Sequence, residues 1–224
     1  MIRITPTTYE QDGLSYDRIT EIISHTWPMP ELQDWRASVG KARANRDLKH
    51  AQHIGTVVDK SITALWAGLK PPLNLSVEVR QALRGFKEWK ALNADLTPVA
   101  MQVPILDGLR VVGGTPDFLT ASEGIDWKTS ARFSFTSVLQ IDQYWRLAEL
   151  MGYSLRQYRL VRFDKILGTW EERILHPEGI DWSSQWLTRD FLGNTFTHLL
   201  GIYRAWQFTM GQERVLSLPS DATA

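Results

Sequence analysis

The sequence predicts an α/β protein in which a mixed central β-sheet is flanked by helices. Three observations lead there. Apolar residues recur at helical spacing through most of the first ninety or so positions, switch to a period of two between Val99 and Lys128, and then return to helical spacing before a further pair of strands. At 224 residues the chain fits one domain spanning 1–224, a core with helical N- and C-terminal additions.

From Leu14 to Trp35 the sequence reads as a short helix followed by a loop broken at Pro28 and Pro30. A long helix is expected from Ala37 to Trp66, with Val57, Ile62, Leu65 and Trp66 inward, and Gly68 and Pro71-Pro72 stop it. A second amphipathic helix runs from Ser76 to Leu92 on Val79, Leu83, Phe86 and Trp89. Val99, Met101, Val103 and Ile105 then alternate as a half-buried strand, with Pro104 marking an edge or irregular end. Asp107-Gly108 is a hairpin turn signal, Leu109 to Thr120 the second strand, Ser122-Glu123-Gly124 a second turn and Ile125 to Lys128 the third strand. Val138, Ile141, Trp145 and Ala148 line a helix from Ser134 to Met151, and strands are expected at Arg156–Arg162 and Gly168–Leu175. A helix or helix pair from Trp182 to Phe208 and a frayed tail, LSLPSDATA, complete the chain.

Composition excludes several classes. Hydrophobic residues at 43% and charged residues at 22% are ordinary for a globular protein. The absence of cysteine removes disulfides, thiolate nucleophiles and cysteine-held metal, so any metal must rest on oxygen or histidine. The start MIRITPTTYEQDG has no basic segment followed by an apolar run, so the expected location is cytoplasmic, with no membrane partner. With 25 Lys plus Arg against 25 Asp plus Glu, net charge exerts no global pull toward nucleic acid. The ten tryptophans, including Trp35, Trp66, Trp89, Trp145, Trp182, Trp186 and Trp206, sit mostly at apolar helix positions and read as core, although one or two can stack on unpaired bases.

The informative segment is GGTPDFLTASEGIDWKTS, residues 113 to 130. It puts Asp117 near the end of one strand and Asp126 and Lys128 two apart on the next, where both project from one face and Trp127 from the other. Two carboxylates and an ammonium sharing a small volume suit a hard divalent cation, with the lysine positioning or activating water and offsetting charge on a phosphate. The competing reading is a set of exposed hairpin charges, since surface strands often carry Asp-x-Lys.

The same residues resemble the PD-(D/E)XK nuclease motif: Pro116-Asp117, eight residues, then Asp126-Trp127-Lys128 and Thr129-Ser130 as in many RecB-type nucleases. Gln140 and Tyr144 resemble the Gln-x-x-x-Tyr pattern of RecB-like members, and their spacing places them on one helical face. His53-Ile54-Gly55-Thr56-Val57-Val58-Asp59 is similar to the family's Gly-Thr-x-Val-His helix. The similarity spans Pro28 to Arg162, with two departures: Asp59 stands in place of the helix histidine, and Gln102 in place of the usual strand glutamate.

The resemblance implies a restriction-endonuclease-like core and a metal-dependent deoxyribonuclease, an exonuclease by the Gln-x-x-x-Tyr pattern, in recombination, replication or repair, as in phage enzymes. It implies Mg²⁺ or Mn²⁺ on Asp117, Asp126 and the main-chain carbonyl of Trp127, with Asp59 and Gln102 as further ligands. Catalysis would fall to Asp117, Asp126 and Lys128. Gln140 and Tyr144 would hold the DNA backbone or the lysine, and Thr129, Ser130 and Arg132, just past the metal site, would contact DNA phosphates. Independently of the family, Arg43, Arg46, Lys49, His50 and His53 form a helix stripe at spacings of three and four; a solvated face is the default reading, but if Asp59 faces the metal the stripe runs toward the same site and Arg46 and Lys49 contact phosphates. Two alternatives remain open: a noncatalytic DNA-binding or assembly protein in which Asp59 and Gln102 mark a decayed metal site, and a structure-specific or restriction-type endonuclease. A homo-oligomer or a recombination or replication partner is compatible with the sequence but not required by it.

Overall fold

The computed structural model describes the backbone of residues 1–216 and the side chains of residues 1–210. The chain opens with three strands, β1 (Arg3–Ile4), β2 (Thr8–Gln11) and β3 (Leu14–Arg18), followed by α1 (Ile19–Thr26). This meander is absent from the sequence reading, which placed helix from Leu14. Asp12 and Gly13, both at positive φ, turn β2 into β3, and the register Tyr9↔Tyr16 puts both tyrosines on the buried side.

The stretch expected as a Pro-broken loop is helical from Pro30, forming α2 (Pro30–Val39), and the helix expected from Ala37 to Trp66 is broken at Gly40, so that α3 runs Lys41–Trp66. Pro30 occupies the first turn of α2, where its missing N–H costs nothing. Gly40 separates the two helices at φ +81°, a conformation that side chains resist. Helix α4 (Val77–Leu92) follows, capped by Ser76 Oγ, which accepts from the Val79 N–H at 3.3 Å. Its Val79, Leu83, Phe86 and Trp89 are all buried, as the periodicity requires.

The predicted hairpin is present, but each of its strands is broken. The first becomes β4 (Ala100–Met101) and β5 (Ile105–Asp107), and the second β6 (Val112–Gly114) and β7 (Phe118–Leu119). β5 pairs with β6 in one five-stranded sheet, of order β1-β2-β3-β6-β5, while β4 pairs with β7 in another. The break in the first strand falls at Gln102, whose φ is +52°. Left-handed backbone at a non-glycine residue costs about 1 kcal/mol, which period-two patterning does not anticipate. One predicted sheet is therefore two, joined through a hairpin that crosses between them.

Strand β8 (Glu123–Lys128) starts two residues before the predicted Ile125, so the turn lies at Thr120–Ser122 rather than at Ser122–Gly124; Thr120 Oγ1 accepts from the Glu123 N–H at 2.8 Å. Helix α5 (Phe135–Leu150) carries the chain to β9 (Gln157–Phe163), parallel to β8, and β10 (Trp170–Leu175) returns antiparallel. The second sheet has the order β10-β9-β8-β7-β4. The predicted start of the C-terminal helix at Trp182 is displaced by a hairpin, β11 (Gly179–Trp182) and β12 (Gln185–Thr188), turned by Ser183 and Ser184 at positive φ; α6 (Arg189–Leu216) begins only after it. Of the predicted frayed tail, the residues after Leu216 lie outside the described structure.

Alternating residues of the second sheet feed two cores, which is how helices come to cover both faces. Leu119, Tyr158 and Leu160 pack with α1, α5 and α6, whereas Phe118, Ile125, Trp127 and Val161 pack with α3 and α4. Helix α5 is buried nearly all round; its fully buried Asp142 is neutralised by Arg146 at 2.9 Å and Arg189 at 3.1 Å. Among the tryptophans the core reading holds for Trp89 and Trp145, while Trp186 at 53% and Trp206 at 44% are exposed. Among the described residues no helix is long and apolar enough to cross a membrane.

Candidate active site

Strand β8 presents Asp126 and Lys128 toward α5 and Trp127 toward α3, as alternation demands. Asp126 is 1% exposed, and its Oδ2 lies 2.5 Å from the Lys128 ammonium, a charge contact without hydrogen-bond alignment. That oxygen accepts no hydrogen bond from the described residues. From α5, Gln140 reaches both charges: its Oε1 accepts from Lys128 Nζ at 3.1 Å and its Nε2 donates to Asp126 Oδ1 at 3.3 Å. Gln140 Nε2 also donates to the Tyr144 hydroxyl one helical turn on, at 3.0 Å.

Asp117 comes from the gap between β6 and β7, opposite the gap that holds Gln102. Its Oδ2 accepts the Trp127 backbone N–H at 3.0 Å, and its Oδ1 accepts from Gln102 Nε2 at 3.0 Å. The Gln102 main-chain N–H also donates to the Asp117 carbonyl, at 3.2 Å. The break that interrupts the ladder thus aims Gln102 at the carboxylate. Asp59, on α3, meets the site from the Trp127 side: its Oδ1 accepts the indole Nε1–H at 2.8 Å and Gln102 Nε2 at 2.9 Å. Gln102 therefore joins carboxylates on two sides of the strand.

Charge balance in this small volume is strained. Burial holds the Asp117 carboxyl well above the ordinary carboxylate range, and neighbouring Asp126 pushes it further, against the pull of Lys128. Burial also raises Asp59, only partly countered by the Trp127 indole N–H. For Lys128, burial disfavours the ammonium, yet the Asp126 and Asp117 carboxylates outweigh it and hold its proton more tightly than on a free lysine. The Tyr144 phenol is raised well above its usual value by burial and by Asp126, and stays neutral. The group is enclosed but open to solvent: the Lys128 side chain keeps 22% of its surface exposed.

The structure thus brings together Asp117, Asp126, Trp127, Lys128, Gln140, Tyr144, Asp59 and Gln102. It does not bring in the rest of the predicted set. Arg46 and Lys49 are exposed along α3, and no hydrogen bond or ion pair among the described residues ties either to the site; the stripe they belong to is solvated throughout, with His50 paired to Glu78 and Arg43 to Asp47. Ser130 is exposed and spends its hydroxyl on the Arg132 carbonyl at 2.8 Å, while Arg132 forms an ion pair with Glu31 of α2. Thr129 is half-buried beside Gly55 of α3.

Two supporting residues escaped the sequence reading. Arg162, the register partner of Lys128 on β9, donates to the Ser130 carbonyl at 3.2 Å and steadies the segment leaving the site. Tyr158 is fully buried, and the Asp126 and Asp117 charges add to burial in raising its phenol well above the usual value. Neither carries a local signal, because both reach the site only through parallel pairing of β8 with β9.

Among the described residues, no group of three or more His, Cys, Asp or Glu side chains is arranged to hold a metal ion. A cation here would draw on two carboxylates, main-chain carbonyl and water, a donor set suited to Mg²⁺ or Mn²⁺ and not to zinc. The buried Oδ2 of Asp126, which among the described residues accepts no aligned hydrogen bond and faces only the Lys128 ammonium at 2.5 Å, is the observation that fits such a cation. Neither a protein-family model nor a curated protein matches the chain.

Proposed function

We propose that this chain is a metal-dependent deoxyribonuclease of the PD-(D/E)XK type on a restriction-endonuclease-like core, acting on DNA in the cytoplasm and, by its Gln140 and Tyr144, an exonuclease. The observation that supports it most is the gathering of Asp117, Asp126 and Lys128 in one buried group, in which the Lys128 ammonium lies 2.5 Å from Asp126 Oδ2 and the charges of both act on Asp117. Asp117, Asp126 and the Trp127 carbonyl would hold Mg²⁺ or Mn²⁺. When bound, such an ion polarises a phosphodiester and lowers the pKa of water.

The chain's own residues have separable tasks. The Trp127 N–H orients Asp117, and Gln140 fixes Lys128 against Asp126. Lys128, kept charged by its neighbours, acts as a fixed cation facing negative charge that develops on the phosphate and not as a proton acceptor. Gln102 offers its amide N–H to Asp59 and Asp117; turned over, the same amide presents Oε1 as a neutral ligand. Asp59 serves as the anchor of Gln102 and Trp127 and not as a direct ligand.

One observation favours a second reading. The Gln102 N–H already occupies Asp117 Oδ1, as a permanent substitute for a cation would, and this is the arrangement expected of a noncatalytic DNA-binding protein with a decayed site. End-labelled linear and covalently closed DNA, single- and double-stranded, incubated with Mg²⁺ or Mn²⁺ and with chelator, separates the two. The nuclease reading requires metal-dependent loss of linear DNA that Asp117→Asn, Asp126→Asn and Lys128→Ala each reduce by about a hundredfold or more while the fold persists. Cleavage of closed circles would assign an endonuclease, and binding without cleavage at any metal concentration would favour the decayed site.

A further inference from the structure

A cavity of about 920 Å³ lies not over the carboxylates but beside them, between the α1–α2 turn, α2, and the segment linking β8 to α5. Its walls carry five half-buried aromatic side chains, Trp27, Trp35, Phe133, Phe135 and Trp182, all but Trp35 also packed against the main core. A smaller recess bounded by Met29, Thr136 and Gln140 continues it toward the site, sharing Met29 and Thr136 with the large cavity. Gln140 is the side chain that touches Lys128 and Asp126. On the other side the cavity runs out past Arg132 and Trp182 to Arg173 at the edge of β10. The result is one trough, aromatic along its middle, with Arg132 and Arg173 beside Glu31 and Glu171 on its outer rim and Gln140, which touches Lys128 and Asp126, at its inner end.

From this continuity we infer that the trough is the path of an unpaired DNA strand, whose bases stack on the aromatic walls while its backbone meets Arg132 and Arg173. The inference rests on the nuclease reading and names its substrate: single-stranded DNA or the frayed end of a duplex. Every base has a π-face, so aromatic stacking is tolerant of sequence, whereas a paired duplex presents its bases only to each other. The pairing of Arg132 with Glu31 is no obstacle, because both side chains are about three-quarters exposed and such surface pairs contribute little. Arg132 can exchange Glu31 for a phosphate as a strand enters. A neutral net charge also suits a trough in which stacking, and not a broad basic surface, supplies the affinity.

Trp35 provides the test, because α2 buries none of its residues and the side chain belongs to neither core cluster, so its loss spares the fold. Binding of a labelled short oligothymidylate and of a blunt duplex of equal length is measured by anisotropy in EDTA, with circular dichroism melts of each variant. The full chain should prefer the oligothymidylate; Trp35→Ala should weaken that binding by at least about fivefold, the lower limit for one stacked base. Trp35→Phe should restore part of it, and Trp186→Ala, an exposed tryptophan outside the trough, should change nothing. Equal binding by wild type and Trp35→Ala, or preference for the duplex, overturns the inference. So does failure to bind oligothymidylate while a proline- and aromatic-rich peptide occupies the trough. Metal-dependent cleavage with Trp35-independent binding rejects the trough alone; Trp35-dependent binding without cleavage rejects the nuclease reading alone.

Discussion

Replacing Gln102 by glutamate tests whether this corner of the molecule is arranged around a cation. The wild-type amide donates to Asp59 Oδ1 at 2.9 Å and to Asp117 Oδ1 at 3.0 Å. Gln102→Glu removes both donors and sets a third carboxylate against two others at nearly the same distance. At about 3 Å and an effective dielectric of about 20, each like-charge pair costs roughly 5 kcal/mol. Protonating one carboxyl at neutral pH is cheaper, about 4 kcal/mol for a glutamate of ordinary pKa, and less here because Asp117 already favours its proton. The protonated group then regains one hydrogen bond. The metal-free variant should therefore lose about 2–4 kcal/mol, a fall in melting temperature of about 4–16 °C for a domain of this size.

A divalent cation reverses the sign, because the extra carboxylate becomes a ligand. Melts followed by circular dichroism in EDTA and across a Mn²⁺ titration should show a larger Mn²⁺ shift for Gln102→Glu than for wild type. Adding Asp59→Ala removes one of the two repulsive pairs and should recover part of the metal-free loss, a coupling expected only of residues that touch. A Gln102→Glu protein that melts at or above wild type in EDTA, or that gains no more from Mn²⁺, would refute the reasoning.

The raised Asp117 and Asp59 carboxyls fix a pH dependence. Between the ordinary carboxylate pKa of about 4 and these elevated values the native state binds more protons than the unfolded chain, so metal-free stability should fall as pH rises through that window. Metal on Asp117 must displace its proton, so Mn²⁺ should bind more tightly as pH rises and release protons on binding; calorimetry in buffers of different ionisation enthalpy reads the release, and none would contradict the assignment of Asp117. Gly124→Ala should be costly, because a Cβ there would lie 2.2 Å from the buried Tyr158 ring, on the same strand as Asp126. A loss of about 1–3 kcal/mol or more is expected, and an unchanged melting temperature would show that Tyr158 can move aside.

Much of the candidate site was legible in the sequence because it depends on spacing within single elements. Two residues along a strand share a face, so Asp126 and Lys128 had to point together and Trp127 away. Four residues along a helix do the same for Gln140 and Tyr144. The helices of Phe86 and Trp145 declared themselves through apolar period, and the Asp107-Gly108 turn through its residues. Tertiary structure alone decided what lies between elements. Pro104 signalled an irregularity in the first hairpin strand, but the positive φ of Gln102 has no local signature, since a glutamine there is held by pairing of the flanking strands into different sheets. The same is true of Asp59, read from its place in a motif as a ligand but placed by packing against the Trp127 indole. Arg162 and Tyr158 reach the site only because β9 lies parallel to β8, and the trough of Trp27, Trp35, Phe133, Phe135 and Trp182 gathers rings from segments far apart in sequence. Local periodicity determines the direction a side chain takes from its own backbone; which partner it meets there is set by how distant elements bury their apolar faces, and that information is spread over the whole chain.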